Sequence, residues 1–540
     1  MPDPWESLQT TALLGTDRRP LPAPGPAAPY DGAVDRADPA AALLELAALE
    51  TVRRRAGALP APAAAPADRP AAEDPRPELP PAAARRLSLL LSTRGGNGVL
   101  ANVGELLPQW LATARERGYR VPAASVPALL DAARARSELR PDAVALAGPL
   151  GRWLAERNAD WRFVQRAAQE PVPAQEPVPA PEAPDAAGTQ DAAPAEGDHL
   201  WHEGLFAERV THLTLLRRRD PAAGLALLRG TWPTERAEDR LLFLDALQEG
   251  LSLADEDFLE AALGDRSKNV RATAAELLST LPGSALATRM AERARAAVRL
   301  SGHGTHLLVT PPASCDPAMQ RDGIPPKSPT GRGERAWWFG EVIAAAPLSL
   351  WSGHTGLTPE RLLALRVGDA IDETSSTWAD DLREAWARAA VRQQDAGWAR
   401  ALLGPAPVPG PGRPARTTGA PAKLLAVLPP AERAAWTAAF IEAHGLGDSF
   451  QLLGACATPW TPPLSTAVVE ALARAAASGA YPWSHSGVLG MTERALSPQS
   501  AEAVEALAAG AAPATAWGET FARLAGTLRF REAMLAELAA

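Results

Sequence analysis

Residues 220–281 repeat a two-helix pattern, and no other feature constrains the fold of this chain as strongly. Asp220-Pro221 opens a first helix, with Asp at the N-cap and Pro at the first helical position, where a missing N–H is harmless. That helix is expected to run to about Leu228. A second covers about 234–250, with Leu241, Leu244, Leu247 and Leu251 on one face. A third covers 255–263, turning Phe258, Leu259, Ala262 and Leu263 inward and stopping at Gly264. A fourth covers 267–281, capped by Ser267 and ended by Pro282-Gly283, with Val270, Ala274, Leu277, Leu278 and Leu281 toward the core. Asp220 and Asp255 each open a helix, 35 residues apart, which is the period of a two-helix solenoid repeat. One helix pair cannot bury its own apolar face, so such units stack into a continuous core.

Helical segments broken by proline fill most of the remaining chain. Before residue 165 they are expected at 40–56, 82–92, 99–117, 124–136 and 141–156, with a Pro/Ala-rich loop at 57–81. Beyond residue 340 they are expected at 376–392, 429–444, 464–478 and 516–539. The loop at 404–422 separates two of these. Trp378, Leu382, Trp386 and Ala389 share one helical face, as do Trp436 and Phe440. Tryptophan outnumbers phenylalanine 16 to 9, so Trp is expected to fill the contacts between Ala-rich helices.

Residues 167–198 differ in kind. They contain QEPVPA twice and carry Glu170, Glu176, Glu182, Asp185, Asp191, Glu196 and Asp198 with no Lys or Arg. Such a segment buries too little apolar area to offset its ordering entropy and favours an extended polyproline conformation. It reads as a spacer or as a docking tail for a proline-recognising surface. It also holds seven of the charges behind a net charge of −9, so the rest of the chain is nearly neutral. A global basic field for nucleic acid is therefore not expected.

The stretch 301–340 interrupts the helical pattern with many Gly and Pro residues and one short apolar run, Leu307 to Val309. An excursion of this length is usually functional or disordered. It is expected to reach outward as a recognition loop, with Lys327, Arg332, Arg335, Trp337 and Trp338 as interaction residues. Arg and Trp are enriched at binding hot spots. The competing reading is that both Trp rings belong to the core.

Candidate chemistry is thin. His303 and His306 form HxxH near Cys315, but a structural zinc site needs four ligands at defined spacing, and no HExxH follows. GIPPKSPTGRGER (323–335) places its Lys before the glycines, the wrong order for a phosphate cradle. Ser484-His485-Ser486 is a weak lure for a triad, because triads are spatial rather than sequential. Two cysteines, Cys315 and Cys456, exclude a disulfide scaffold. Basic residues cluster at Arg217–Arg219, at Arg266, Lys268 and Arg271, and at Arg289, Arg293, Arg295 and Arg299. Stacked, they would make a ridge for nucleic acid, but Glu208, Glu235, Glu238, Asp239 and Glu276 interleave with them. The opening MPDPWESLQ lacks a secretory signal pattern and no apolar run is long enough to span a bilayer, so a cytoplasmic protein is expected.

Residues 265–284, DRSKNVRATAAELLSTLPGS, resemble the second half of a HEAT repeat, whose turn Asp and inner-helix Val-Arg fall here on Asp265, Val270 and Arg271. The resemblance implies that Asp265 and Arg271 tie successive repeats together by hydrogen bonds. Taken whole, the chain resembles an uncharacterised bacterial family of unknown function. The carrying segments are WESLQTTALLGTDRRPLP (5–22), LSLADEDFLEAALGDRSKNVRATAAELLSTLPGS (251–284) and RAWWFGEVIAAAPLSLW (335–351). Genes of that family neighbour those of a SWIM zinc-finger protein, a MoxR-type AAA+ ATPase and a von Willebrand A-domain protein. The resemblance implies such partners and assigns no catalytic residue.

The expected fold is therefore all-α, a HEAT-like α-solenoid with an irregular central loop excursion. Its expected parts are a helical N-terminal region (1–165), a disordered linker (166–198), HEAT-like repeats (199–300), the loop excursion (301–340) and C-terminal helical repeats (341–540). The expected function is a non-catalytic scaffold or adaptor without cofactors. The alternatives are a nucleic-acid-binding or DNA-repair HEAT-like protein and a metal-dependent hydrolase at His303 and His306.

Overall fold

A computed structural model describes residues 4–22, 34–56, 71–92, 103–168, 196–331, 333–369, 378–405, 421–512 and 515–539. The expected linker lies outside the described residues from 169 to 195, and the expected loop at 404–422 lies outside them from 406 to 420. The margins of the linker are helical, over Arg162–Ala168 and Glu196–Glu203.

The chain forms two compact units, Met1–Ala72 and Glu73–Ala540. The first unit holds helices Pro4–Leu14 and Pro39–Ala56 around Leu8, Val34, Ala42 and Leu46. Gly15, at φ 86°, ends the first helix in the left-handed conformation that glycine adopts without steric cost, and its N–H donates to the Thr11 carbonyl.

Among its described residues the second unit is mostly helical, and the expected helices are present within a few residues of their predicted ends. The four central ones are Pro221–Thr231, Ala237–Ala246, Glu256–Ala262 and Lys268–Ser279. Asp220 caps the first, its carboxylate accepting the Ala223 N–H at 2.9 Å. Asp255 does not repeat that role. It ends a 3-10 turn, and its carboxylate accepts the Ser252 N–H at 3.0 Å while pairing with the buried Arg217. Two aspartates that look equivalent by spacing thus do different work. Ser267 does not cap with its hydroxyl either; the Asp265 carboxylate accepts the Ser267 N–H at 2.8 Å and sets the turn.

The all-α expectation meets one local departure. A three-stranded sheet joins β1 (Val298–Leu300), β2 (His306–Val309) and β3 (Arg366–Asp369) in that order. β1 and β2 are antiparallel, with Val298 opposite Val309, and β2 and β3 are parallel, with Leu307 opposite Val367. The apolar run Leu307 to Val309 alternates as a half-buried strand does: Leu307 and Val309 are buried, Leu308 only partly.

Among the described residues of this unit three apolar cores are present. The largest runs from Trp201 to Leu452 and includes the ring series Trp351, Trp386 and Trp398, with neighbouring centroids 5.5 and 5.2 Å apart. A second spans Ala434 to Leu528. The third, built from residues 79–164, is completed by Met534 and Leu538 from the far end of the chain. Helix Ala516–Ala536 therefore serves two cores, which is why residues 73–168 and the C-terminus belong to one unit. No helix among the described residues is long and apolar enough to cross a membrane.

Candidate functional site

The expected recognition excursion is anchored in the core at several points, with exposed residues between them. Met319 and Ile324 are buried in the main apolar cluster with Leu307 and Val309. Asp322, almost fully buried, accepts from Arg289 at 2.8 Å and Arg293 at 2.6 Å, and Arg289 also reaches Glu260 at 2.9 Å. Burial alone would lower the Arg289 pKa, but hydrogen bonds to Asp322 and Glu260 outweigh it and raise it. This network straps residues 317–324 onto helices Glu256–Ala262 and Ala285–Ala297. Gly323 makes the close approach possible. Its φ is 90°, and a Cβ there would lie 2.4 Å from the Ala275 Cβ. Gly323→Ala is expected to destabilise the protein by about 2–4 kcal/mol, from left-handed strain plus overpacking. A urea titration checks this, and an unchanged midpoint would mean that the strap is not docked.

The predicted interaction residues separate accordingly. Trp338 is buried and donates its indole N–H to the Pro326 carbonyl at 3.2 Å. Trp337 is half-buried against the same core. Arg335 is exposed, and its guanidinium donates to the Pro311 and Pro312 carbonyls at 3.3 and 3.4 Å. Lys327 lies on an exposed turn, and Arg332 lies outside the described residues. Trp338 and Arg335 thus fasten the residues that flank the strap, at Pro326 and at Pro311 and Pro312, and Lys327 lies on an exposed turn beyond it. Gly and Pro content suggested a free loop because the pattern does not reveal one buried carboxylate meeting two arginines.

The repeat-turn residues are engaged inside the fold. Asp265 accepts from Arg240 of helix Ala237–Ala246 at 2.5 Å. Arg271 donates to the carbonyls of Asp265 and Arg266 at 2.7 and 3.1 Å, and Val270 is fully buried.

No group of three or more His, Cys, Asp or Glu that could hold an ion occurs among the described residues, the histidine loop included. His306 shares a hydrogen bond with the Thr305 hydroxyl, and the Cys315 thiol donates to the Ile324 carbonyl at 3.5 Å. Burial and the neighbouring Asp316 push the Cys315 pKa up, and burial raises that of Cys456, which disfavours both thiolates. The basic clusters are likewise partly consumed. Arg217 is buried against Asp255, Arg218 pairs with Glu249, and Arg289 and Arg293 hold Asp322.

An outward-facing aromatic group lies where the sequence offered only a triad lure. Tyr481 and Trp483 are 61% and 64% exposed and stack with centroids 4.2 Å apart at 12°. Pro482 between them is buried, so a 3-10 turn from Pro482 to His485 sends both rings to one side. The turn is fastened at both ends. The Trp517 indole donates to the Ala480 carbonyl at 2.6 Å, and the Ser484 hydroxyl donates to the Tyr481 carbonyl at 2.5 Å. His485 lies near Trp517 rather than in a triad. Phe450, 51% exposed, rests on Gly487 just beyond the turn; a Cβ on that glycine would come within 3.0 Å of its ring. The YPW run at a Gly-Ala turn was the available signal, but helical periodicity carries no information about exposed turns.

The chain belongs to the family of unknown function DUF5691, whose model matches residues 7–538. No curated protein and no solved structure matches it.

Proposed function

From membership of that family as the premise, we propose that the protein is a non-catalytic cytoplasmic scaffold of bacteria, built as a HEAT-like solenoid that presents side-chain surfaces to protein partners. The observation that carries this reading is the exposed Tyr481–Trp483 stack on its fastened turn, with the exposed Phe450 against Gly487 just beyond that turn. Large aromatic rings left in water at a fixed turn lose little conformational entropy on binding and make effective anchors. The exposed turn around Lys327 serves as a second contact. The partners proposed are the MoxR-type AAA+ ATPase and the von Willebrand A-domain protein that the sequence resemblance points to. The consumption of Arg217, Arg289 and Arg293 by internal carboxylates weighs against a nucleic-acid ridge.

The test uses purified protein and the two purified candidate partners in a direct binding assay. Wild-type protein is expected to bind at least one of them, and Y481A/W483A to bind it at least about tenfold more weakly while keeping its thermal midpoint, since hot-spot truncation costs ~2 kcal/mol or more. Failure of the wild type to bind either protein overturns the partner assignment. Equal binding by the variant removes the aromatic stack from the interface.

A further inference from the structure

The first unit leaves at least as many large apolar side chains in water as it buries. Its core holds Leu8, Val34, Ala42 and Leu46. Leu13, Leu14, Leu44 and Val52 are 86%, 52%, 72% and 64% exposed. Single exposed leucines are ordinary on a protein surface, but a contiguous stripe is not. In helix Pro39–Ala56 the exposed positions from 41 to 52 are Ala41, Leu44, Glu45, Ala48 and Val52, and only Glu45 among them is polar. Ala41, Leu44, Ala48 and Val52 fall within a stripe about 80° wide at 3.6 residues per turn. Their alternation of three- and four-residue steps is that of a seam between two helices. The opposite side of the same helix carries Ala42 and Leu46 into the unit's own core. A helix apolar on both sides belongs between two layers, and the first unit supplies one of them.

The stripe is complementary to itself. Leu44 and Val52 lie four residues to either side of Ala48. Two copies of the helix laid antiparallel about a two-fold axis at Ala48 therefore set each Leu44 level with Val52 of the other copy. The small Ala48 side chains at the crossing let the helix axes approach to about 8 Å. Charge selects the antiparallel sense. Asp35 and Asp38 precede the helix and Glu45 lies in its first half, whereas the helix ends in the run Arg53, Arg54 and Arg55. Antiparallel packing brings each acidic end beside the arginine run of the other copy, and opposes the two helix dipoles. Parallel packing would set arginines beside arginines.

We propose that the exposed stripe of helix Pro39–Ala56 is the face through which two copies of this chain associate, antiparallel about Ala48. The occupant of the second layer is then the same helix of a second copy, and each Leu44 and Val52 leaves water on pairing. The first unit also gains from this in stability, because a unit of its size with so small a core is strengthened by association.

This inference stands apart from the scaffold reading, and its test uses the full-length chain alone. Small interfaces bind weakly, so the dimer is expected to fill in as the chain concentration rises to about 100 μM. Sedimentation equilibrium then reads twice the chain mass of 56.6 kDa. L44E/V52E is expected to associate at least about tenfold more weakly, because like charges meet at both levels of the seam. L44K/V52E is expected to associate at least about threefold more tightly than L44E/V52E, since each new cation then faces a new carboxylate of the other copy. A second readout does not depend on those charges. With oxidised glutathione, A48C is expected to form a covalent dimer at least about tenfold faster than L44C, whose two thiols would lie ~12 Å apart along the seam. The wild type, with Cys315 and Cys456, gives the background. A wild type that keeps the single-chain mass, or equal crosslinking of A48C and L44C, overturns the proposal. So does L44E/V52E that dimerises like the wild type, since the contact would then lie elsewhere on the chain. Hydrogen-exchange protection of residues 41–52 that is independent of concentration at single-chain mass also overturns it, since the stripe would then be covered by another part of the same chain.

Discussion

Asp255→Ala is expected to lower the unfolding free energy by about 3–5 kcal/mol, because it leaves a buried guanidinium without its counter-ion. Arg217 and Asp255 are both about 1% exposed and form a bidentate pair at 2.8 and 2.9 Å. The remaining guanidinium donors are used as well, toward the carbonyls of Pro221 at 2.6 Å, Glu249 at 3.0 Å and Leu247 at 3.2 Å. One side chain therefore joins the end of helix Phe206–Arg219, the start of helix Pro221–Thr231, the turn after Ala237–Ala246 and the turn before Glu256–Ala262. Gly250 completes the joint: its φ is 63°, and a Cβ would lie 2.7 Å from the Pro221 ring. The measurement is a urea titration of the two-helix pairs' unfolding by hydrogen exchange within residues 206–279. Arg218→Ala is the control. Its pair with Glu249 is exposed and is expected to contribute no more than about 1 kcal/mol. If Asp255→Ala and Arg218→Ala destabilise equally, the buried pair is not the joint between these helices.

That joint marks the limit of what local pattern carries. The apolar faces of 268–279 and 379–392 were legible because each helix turns one stripe inward, and that stripe is written at a period of 3.6. Val270, Leu382 and Trp386 are buried as those stripes require. A triple arginine at 217–219 carries no comparable sign of which member is buried. Arg217 goes inward only because Asp255 arrives from 38 residues away, and an ordinary solvated run would look the same. The strap at 317–324 was illegible for the same reason: its order comes from Asp322 meeting Arg289 and Arg293, not from any periodicity of its own. Of the predicted interaction set, Lys327 is exposed on its Pro-Pro-Lys turn, as an outward loop requires. Trp338 went to the core, as an aromatic next to Phe339 on an apolar helix face does. The exposed stack of Tyr481 and Trp483 depends on a buried proline between them, a feature of the turn that no stripe announces.

Met534→Ala combined with Leu538→Ala is expected to have the largest effect, roughly 4–10 kcal/mol, taking ~2–5 kcal/mol for each fully buried side chain removed from a core. Both residues are completely buried, and both fill a cluster otherwise made of residues 79–164. Polar contacts surround them: Arg86 pairs with Glu537 at 2.5 Å and lies 4.4 Å over the Phe530 ring, and the Tyr119 hydroxyl donates to the Leu538 carbonyl at 3.3 Å. One turn earlier, Arg531 is fully buried with no carboxylate partner among the described residues. It donates to Gln109 at 3.0 Å and to the Leu496 carbonyl at 2.5 Å, and burial pulls its pKa down to about 10. A buried guanidinium without a counter-ion depends on hydrogen bonds to neutral acceptors to offset its lost hydration. Removing Met534 and Leu538 loosens the end of the helix that positions it. The expected result is therefore specific in location: amides of helices Leu107–Glu116 and Val126–Ala135 lose exchange protection, whereas those of helix Lys268–Ser279 keep it. Uniform loss across the second unit would instead mean that its three cores unfold as one cooperative block, and retained protection at 107–135 would show that residues 79–164 hold together without the C-terminal helix.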